Sequence, residues 1–304
     1  MNWFRVTLDV PGPTGTPWQA DTIFGHLCWA VKHRRGEDAL RRFLEPFLEG
    51  EPPLLLSSGF PSGLLPRPVL PVALPQGAPP EDRARARDLR KQELVSAQDF
   101  QRCIATPAHM PGPVPRKSLV QTRVTLKNQL NRITGTTGDE GQLFNFEEHW
   151  LPQVDIYVKV ANGHKEEAEE LFGFLAESGY GKRKSVGYGA IRGVQFQPFD
   201  GFKPPPGADG FVTLSPFVPS ASDPTEGFWR TRVKYGKLGE ERAVSANPFK
   251  RPVLMLAEGS AFYDAAPREW YGRMVTGLSD AFPDVVHYGY ALPVPAKLPS
   301  QREV

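Results

Sequence analysis

Two stretches of strict alternation, each running into an amphipathic helix, constrain this chain more than any other feature. Phe4, Val6, Leu8 and Val10 alternate with Arg5, Thr7 and Asp9, and Val154, Ile156, Val158 and Val160 alternate with Asp155, Tyr157 and Lys159. A period of two puts one set of side chains on a buried face, so each stretch is predicted to be a half-buried strand. After the first strand comes a Pro- and Gly-rich turn at 11–17. Asp21 then opens a helix as its N-cap, with Ile23, Phe24, Leu27, Cys28 and Val31 on one stripe. Lys32, His33, Arg34 and Arg35 load its last turn, which suits the helix dipole, and Gly36 can stop it. After the second strand, Asn162 or Gly163 caps a helix that turns Ala168, Leu171, Phe172 and Leu175 inward and its glutamates outward.

That helix ends at Ser178 and Gly179, where the segment GYGKRKSVGYGAIRG (179–193) leads into a strand through Phe196. Between the two strand–helix units lie a short helix near 37–43 and a helix within 78–102 that Pro80 can start. Residues 52–75 and 107–115 are Pro-rich and read as irregular. Residues 121–145, with β-branched residues and amides around a turn at 134–138, read as a projecting β-hairpin. With one strand inside the insertion, the order is the βαββαβ of a ferredoxin-like domain. The Pro-rich stretch 198–206 is a natural boundary. Beyond it, 211–214, 228–235, 252–262 and 285–292 read as strands and 268–278 as a helix. The predicted class is α+β: a domain over 1–200 carrying an insertion at about 52–150, and a smaller one over 207–304.

Composition narrows the alternatives. The 304 residues include 32 Pro and 29 Gly, too many for long helical bundles, since Pro ends helices and is excluded from central strands. No run of 18 uncharged apolar residues exists, so no membrane-spanning helix is expected, and the polar, charged start Met-Asn-Trp-Phe-Arg-Val is unlike a signal peptide. Cys28 and Cys103 make neither a disulfide framework nor a Cys-based zinc site, and point to a reducing, cytoplasmic setting.

The net charge of +2 conceals strong segregation. Residues 100–138 carry Arg102, Arg116, Lys117, Arg123, Lys127 and Arg132 and no acid. Residues 178–199 add Lys182, Arg183, Lys184 and Arg192; 227–239 add Arg230, Arg232, Lys234 and Lys237; 242–257 add Arg242, Lys250 and Arg251, all unopposed. Residues 139–177 hold ten acids against two lysines. Clean basic tracts in a near-neutral chain suggest a surface that faces a polyanion, with the acidic block turned to solvent or a basic partner.

The glycine-rich segment is not a nucleotide loop of a known kind. Arg183 follows Lys182 where a Walker loop needs Ser or Thr. The third glycine of a dinucleotide fingerprint counted from Gly187 falls at Arg192, in a helix-to-strand context. No nucleotide cofactor is implied. What remains is a pliant backbone with exposed N–H groups around three adjacent cations, suited to phosphodiester oxygens. Tyr180 and Tyr188 could stack on bases.

These residues resemble the RAMP superfamily of CRISPR proteins, and within it the subunit of type III-A (Csm) effector complexes that caps the 5′ handle of the guide RNA. The resemblance rests on DTIFGHLCWA from Asp21, GLLPRP from Gly63, KNQLNRITGTTGDEGQLF from Lys127, GKRKSVGYGAIRG from Gly181 and NPFKRPVLMLAEGSAFY from Asn247. It implies two ferredoxin-like, RRM-like domains, a hairpin thumb, no catalytic activity and no cofactor. It also implies three partners: the repeat-derived crRNA handle, the large polymerase-nuclease subunit and the first backbone subunit. Carried over by position, Lys182, Arg183, Lys184, Ser185, Gly187, Tyr188 and Gly189 would cradle RNA, and Arg123, Lys127, Asn128 and Arg132 of the thumb would meet phosphates or flipped bases. Lys250 and Arg251 are further candidate RNA contacts. A central-strand aromatic pair of the RRM kind is missing, Tyr157 being the one aromatic on the exposed face of its strand, so loop and thumb must carry recognition.

Competing chemistries rest on fewer residues. Some RAMP relatives mature the guide as metal-independent endoribonucleases using a histidine, for which His26 is the best placed of six; packing on the sheet is its plainer role. His33 fits the dipole of its helix end. No histidine pair has the spacing of a helical zinc site. Asp21 is explained by capping, and Glu166, Glu167, Glu169 and Glu170 by solvation of an outer helix face. The Pro- and Leu-rich stretch 52–74 is expected to be an exposed subunit contact.

Overall fold

A computed structural model describes residues 1–72, 77, 79–128, 133, 134, 136 and 143–300. Strand β1 (Asn2–Asp9) leads to helices α1 (Ala20–Arg35) and α2 (Glu37–Glu49). The insertion follows with β2 (Leu54–Pro61), β3 (Leu64–Pro66), α3 (Pro80–Lys91), β4 (Leu94–Ser96), α4 (Ala97–Ala105), β5 (Gln121–Asn128) and β6 (Leu143–Trp150). Then come β7 (Gln153–Val160), α5 (Lys165–Ser178) and β8 (Gly193–Pro198). The rest is all β in its regular elements, apart from a 3-10 turn: β9 (Gly210–Thr213), β10 (Gly227–Phe228), β11 (Thr231–Lys234), β12 (Val253–Leu256), β13 (Ala261–Tyr263), β14 (Tyr271–Gly272), β15 (Tyr290–Ala291) and β16 (Pro293–Ala296).

The fold is mixed α+β with antiparallel sheets. The first sheet has the order β2-β7-β1-β8, with Val6 opposite Ile156 on one side and Phe196 on the other. Phe4, Val6 and Leu8 bury one face of β1, where Phe4 packs on Phe196 and Phe196 on Phe172 of α5. The second sheet has the order β10-β13-β9-β16. One core runs through both halves: Phe24 of α1 stacks on Tyr288 at 4.7 Å, and the Tyr288 hydroxyl accepts a hydrogen bond from the Leu56 N–H at 3.0 Å.

Several sequence expectations are corrected. Within 52–75, residues 54–61 and 64–66 are strands and not irregular exposed chain, for Leu54, Leu55 and Leu56 are buried in β2, the edge strand of the first sheet; 67–72 are irregular as expected, and 73–75 lie outside the described residues. A continuous apolar run fits a strand covered on both faces, which alternation cannot reveal. Residues 268–278 are not helical. Gly272 and Gly277 take positive φ, and the Tyr271 ring is stacked 3.8 Å from Phe211, so packing overrides the apolar spacing. The expected strand 252–262 is two strands, β12 and β13, with a turn between them. Asp21 is not the N-cap of α1; Gln19 occupies that position and Asp21 is buried in the first turn. His164, rather than Asn162 or Gly163, precedes α5. Tyr157 is not exposed: Phe199 and Phe202 close over it at 5.2 and 5.3 Å.

Candidate nucleic-acid interface

The loop between α5 and β8 is shaped by its glycines and held by the turn that precedes α1. Gly179, Gly181, Gly187 and Gly189 all have positive φ, and so does Arg183, the one non-glycine to do so among the described residues. The need is strictest at Gly189, where a Cβ would lie 1.8 Å from the Tyr180 carbonyl oxygen that the closed loop brings against it. Gly189 N donates to Pro13 O, and Tyr180 N to Gly189 O. Gly181 N donates to Nε2 of His26 at 2.9 Å, and Lys182 N to the Thr16 hydroxyl at 3.2 Å.

Beside the loop stands the hairpin β5–β6, in register from Gln121 opposite Trp150 to Asn128 opposite Leu143. Alternation along β6 turns Phe144, Phe146, Glu148 and Trp150 to the face that meets the loop. Arg183 lies 4.8 Å from the Phe144 ring and 4.9 Å from that of Phe146, and Lys182 lies 4.8 Å from Phe146. Arg123 covers Trp150 at 5.4 Å. Such contacts attract a cation to the ring face, and Lys182, Arg183 and Arg123 stay exposed while making them. Among the described residues no carboxylate pairs with Lys182, Arg183 or Arg123.

One carboxylate does sit between hairpin and loop. Glu148 accepts hydrogen bonds from the hydroxyls of Tyr188 and of Thr125 (2.8 Å), and Lys127 Nζ is 3.0 Å away. The Tyr188 hydroxyl first, then Thr125 and Lys127, pull its pKa down to about 2 against the opposing effect of burial. Tyr188 first and then Glu148 raise the pKa of Lys127, whose ammonium lies 5.3 Å over the Tyr188 ring. Glu148 therefore stays ionised and ties the base of the hairpin to the loop.

The structure brings Lys182, Arg183, Ser185 and Gly187 together on the exposed side of the loop, with Lys184 half-buried and Gly189 buried, and sets Arg123 and Lys127 on the hairpin face beside them, with Asn128 on the opposite face. Arg132 lies outside the described residues, as does most of the turn at 134–138. Four expectations are corrected. Tyr188 is buried and bonded to Glu148, and Tyr180 is fully buried, stacked 3.8 Å from Trp18 with its hydroxyl donating to Pro17 O; neither ring is open to a base. Lys250 turns inward and donates to Val286 O at 2.7 Å. Arg251 is taken up by Asp280 and Gly277 O. The acidic block does not form one face: Glu167 and Glu170 grip Arg35, Glu177 pairs with Arg34, and Asp155 bonds Thr7 and Ser62.

Sequence reasoning missed Phe144, Phe146 and Trp150, although their period-2 spacing in LFNFEEHW was available. It also missed Pro13 and Thr16, for which a Pro-Gly turn carried no signal of what would lie upon it.

No protein-family model matches the chain. A curated relative, CRISPR system Cms protein Csm4 of Thermococcus onnurineus (strain NA1), is 27% identical over 316 residues, covering 99% of both proteins. The chain is a homologue of Csm4 over its full length. The fold is likewise Csm4-like: a chain of the Csm1-Csm4 cassette in complex with pppApA is matched with a TM-score of 0.67, at 21% identity, over 99% of this chain and 100% of that one. A chain of the Csm3-Csm4 subcomplex in the type III-A CRISPR-Cas interference complex is matched with a TM-score of 0.61, at 15% identity, over 97% and 99%. Csm4 homology thus spans both sheets, the hairpin and the glycine-rich loop.

Proposed function

We propose that this chain is the non-catalytic guide-RNA-binding subunit of a cytoplasmic type III-A effector. In this role it caps the repeat-derived 5′ handle and joins a large polymerase-nuclease subunit of the Csm1 kind to a backbone subunit of the Csm3 kind. The observation that carries the RNA assignment is the seating of Lys182 and Arg183 of the loop on Phe144 and Phe146 of the hairpin. Two basic tracts far apart in sequence there form one cationic shelf suited to phosphodiester oxygens. Arg123 and Lys127 extend the shelf along β5, while Asn128, opposite Leu143, lies on the other face of the hairpin. The partners follow from full-length homology to a protein whose relatives were solved with Csm1 and with Csm3.

The first sheet, ordered β2-β7-β1-β8 with α1 and α5 as its helices, supports a ferredoxin-like N-terminal domain over 1–200 with the hairpin as thumb. The second sheet supports a smaller domain over 207–304, reduced to its strands. A nuclease role for His26 has less support, because its Nε2 is engaged by the Gly181 amide.

Binding of a labelled handle RNA tests the reading. Replacing Lys182, Arg183 and Lys184 together by Ala should weaken binding and reduce the slope of log K against log salt by about 2, at ~0.7 per phosphate contact of a single strand. An unchanged slope would remove the loop from the site.

A further inference from the structure

The basic tracts at 227–239 and 242–257 are not used by the shelf, and the structure gives them another role. Strands β11 and β12 pair from Thr231 opposite Leu256 to Lys234 opposite Val253. The ladder continues through Lys250 N to Gly236 O and the bridge between Lys237 and Phe249, so 231–256 form a long second hairpin. It lies over the side of α1 that faces away from the sheet: Lys234 Nζ meets Asp21 Oδ2 at 2.8 Å, Gln19 Oε1 and the Thr22 hydroxyl, and Gly239 rests against Trp29.

This hairpin carries apolar residues on both faces. Inward, Val253, Met255 and Leu238 join a buried cluster with Val218, Leu278 and Val285, and beside them Lys234 reaches α1 and Arg232 reaches Glu258 at 3.1 Å. The outward positions are apolar as well. Val233 and Leu254, directly opposite each other, are 46% and 61% exposed, Tyr235 is 76% and Phe249 62% exposed. A contiguous apolar sheet face of this kind marks a protein interface. RNA fits it less well, since the strand cations that would meet phosphates are turned away. Lys237 and Arg230 remain exposed at its rim, so the matching surface is apolar with a carboxylate border.

We propose that this face is the seat of the large polymerase-nuclease subunit. The assignment rests on the function proposed above, which requires two protein partners. A backbone subunit that takes up the next stretch of guide must abut the shelf and the hairpin β5–β6, whose outer face exposes Val124, Leu126 and Leu143. The second hairpin reaches the shelf only through α1 and needs no RNA to be covered.

The test measures three affinities of the full-length chain: for the purified large subunit, for the backbone subunit loaded with guide, and for handle RNA. Leu254→Glu and the milder pair Val233→Thr with Tyr235→Ser should each weaken large-subunit binding at least about tenfold, as truncation of central interface anchors does, and leave the other two within twofold. Because these side chains are exposed, the variants should melt with wild type; where Leu254→Glu does not, the milder pair decides. In the wild type, binding of the large subunit should protect amides of β11 and β12 from hydrogen exchange. Unchanged large-subunit affinity or protection confined to other elements overturns the assignment and leaves the proposed function standing. Loss of backbone-subunit or RNA binding in its place, or a wild-type homodimer that the variants dissolve, also overturns it. A wild-type chain that fails to bind the large subunit at all removes the function itself.

Discussion

His26 on α1 accepts a hydrogen bond through Nε2 from the backbone N–H of Gly181, 155 positions later, at 2.9 Å. With Thr16 bonding the next amide, it sets where the glycine-rich loop leaves α5. His26→Gln, which can present an oxygen near the same point, should keep handle-RNA affinity within about threefold. His26→Met, similar in length but a poor acceptor, should lose more, on the order of the 1–3 kcal/mol of an unsatisfied buried amide. Equal affinities for the two variants would make the histidine a packing residue only.

Gly189 should tolerate no side chain. Its φ is +65° and its Cβ position falls on the Tyr180 carbonyl, so Gly189→Ala must open the loop. The expected loss is roughly 1–3 kcal/mol of stability or more, read by urea denaturation, with RNA binding falling as well.

Glu148 should control the hairpin through its charge. Its carboxyl, ordinarily near 4.5, is held at about 2 in the fold, so its contribution is complete above pH 4.5 and is lost as pH falls toward 2. Unfolding free energy measured across that window should slope in the wild type and flatten in Glu148→Gln. Glu148→Ala, leaving the Tyr188 and Thr125 hydroxyls without their acceptor, should cost about 1–3 kcal/mol at neutral pH.

Burial lowers the His287 imidazole from 6.5 to about 4, helped by Lys250 and Lys234 and opposed by Asp21. Between those values the unfolded chain binds the proton and the folded chain does not, so stability present above pH 6.5 declines toward pH 4. The decline attributable to this residue is on the order of 3 kcal/mol. It should disappear from the pH profile of His287→Leu once the variant's own stability at pH 8 is subtracted.

The ion pair between Lys234 and Asp21 is the least tolerant of one-sided change. Asp21 is buried and its Oδ1 has no partner, so Lys234→Met should destabilise by about 3–5 kcal/mol. Adding Asp21→Asn should restore a large part of that loss in a double-mutant cycle; simple additivity would mean that the two charges do not depend on each other.

What could be read from residue order alone was local. The alternation around Val6 and Ile156, the stripe of Leu171, Phe172 and Leu175, and the glycines of 179–193 declared two strands, a helix and a pliant loop, because backbone period and positive φ depend on a residue and its near neighbours. The resemblance to RAMP proteins rested on strings of the same local kind. Burial between distant segments could not be read this way. Leu54, Leu55 and Leu56 have the same composition in an exposed stretch as in a strand covered on both faces, and Tyr180 and Tyr188 look like base-stacking rings until Trp18 and Glu148 fold against them. Nor does charge in sequence give direction in space: Lys182 and Lys234 both belong to acid-free tracts, yet one rests on Phe146 at the surface and the other reaches inward to Asp21. Those outcomes were decided by tertiary structure, since they depend on which surface each side chain meets after the chain has closed on itself.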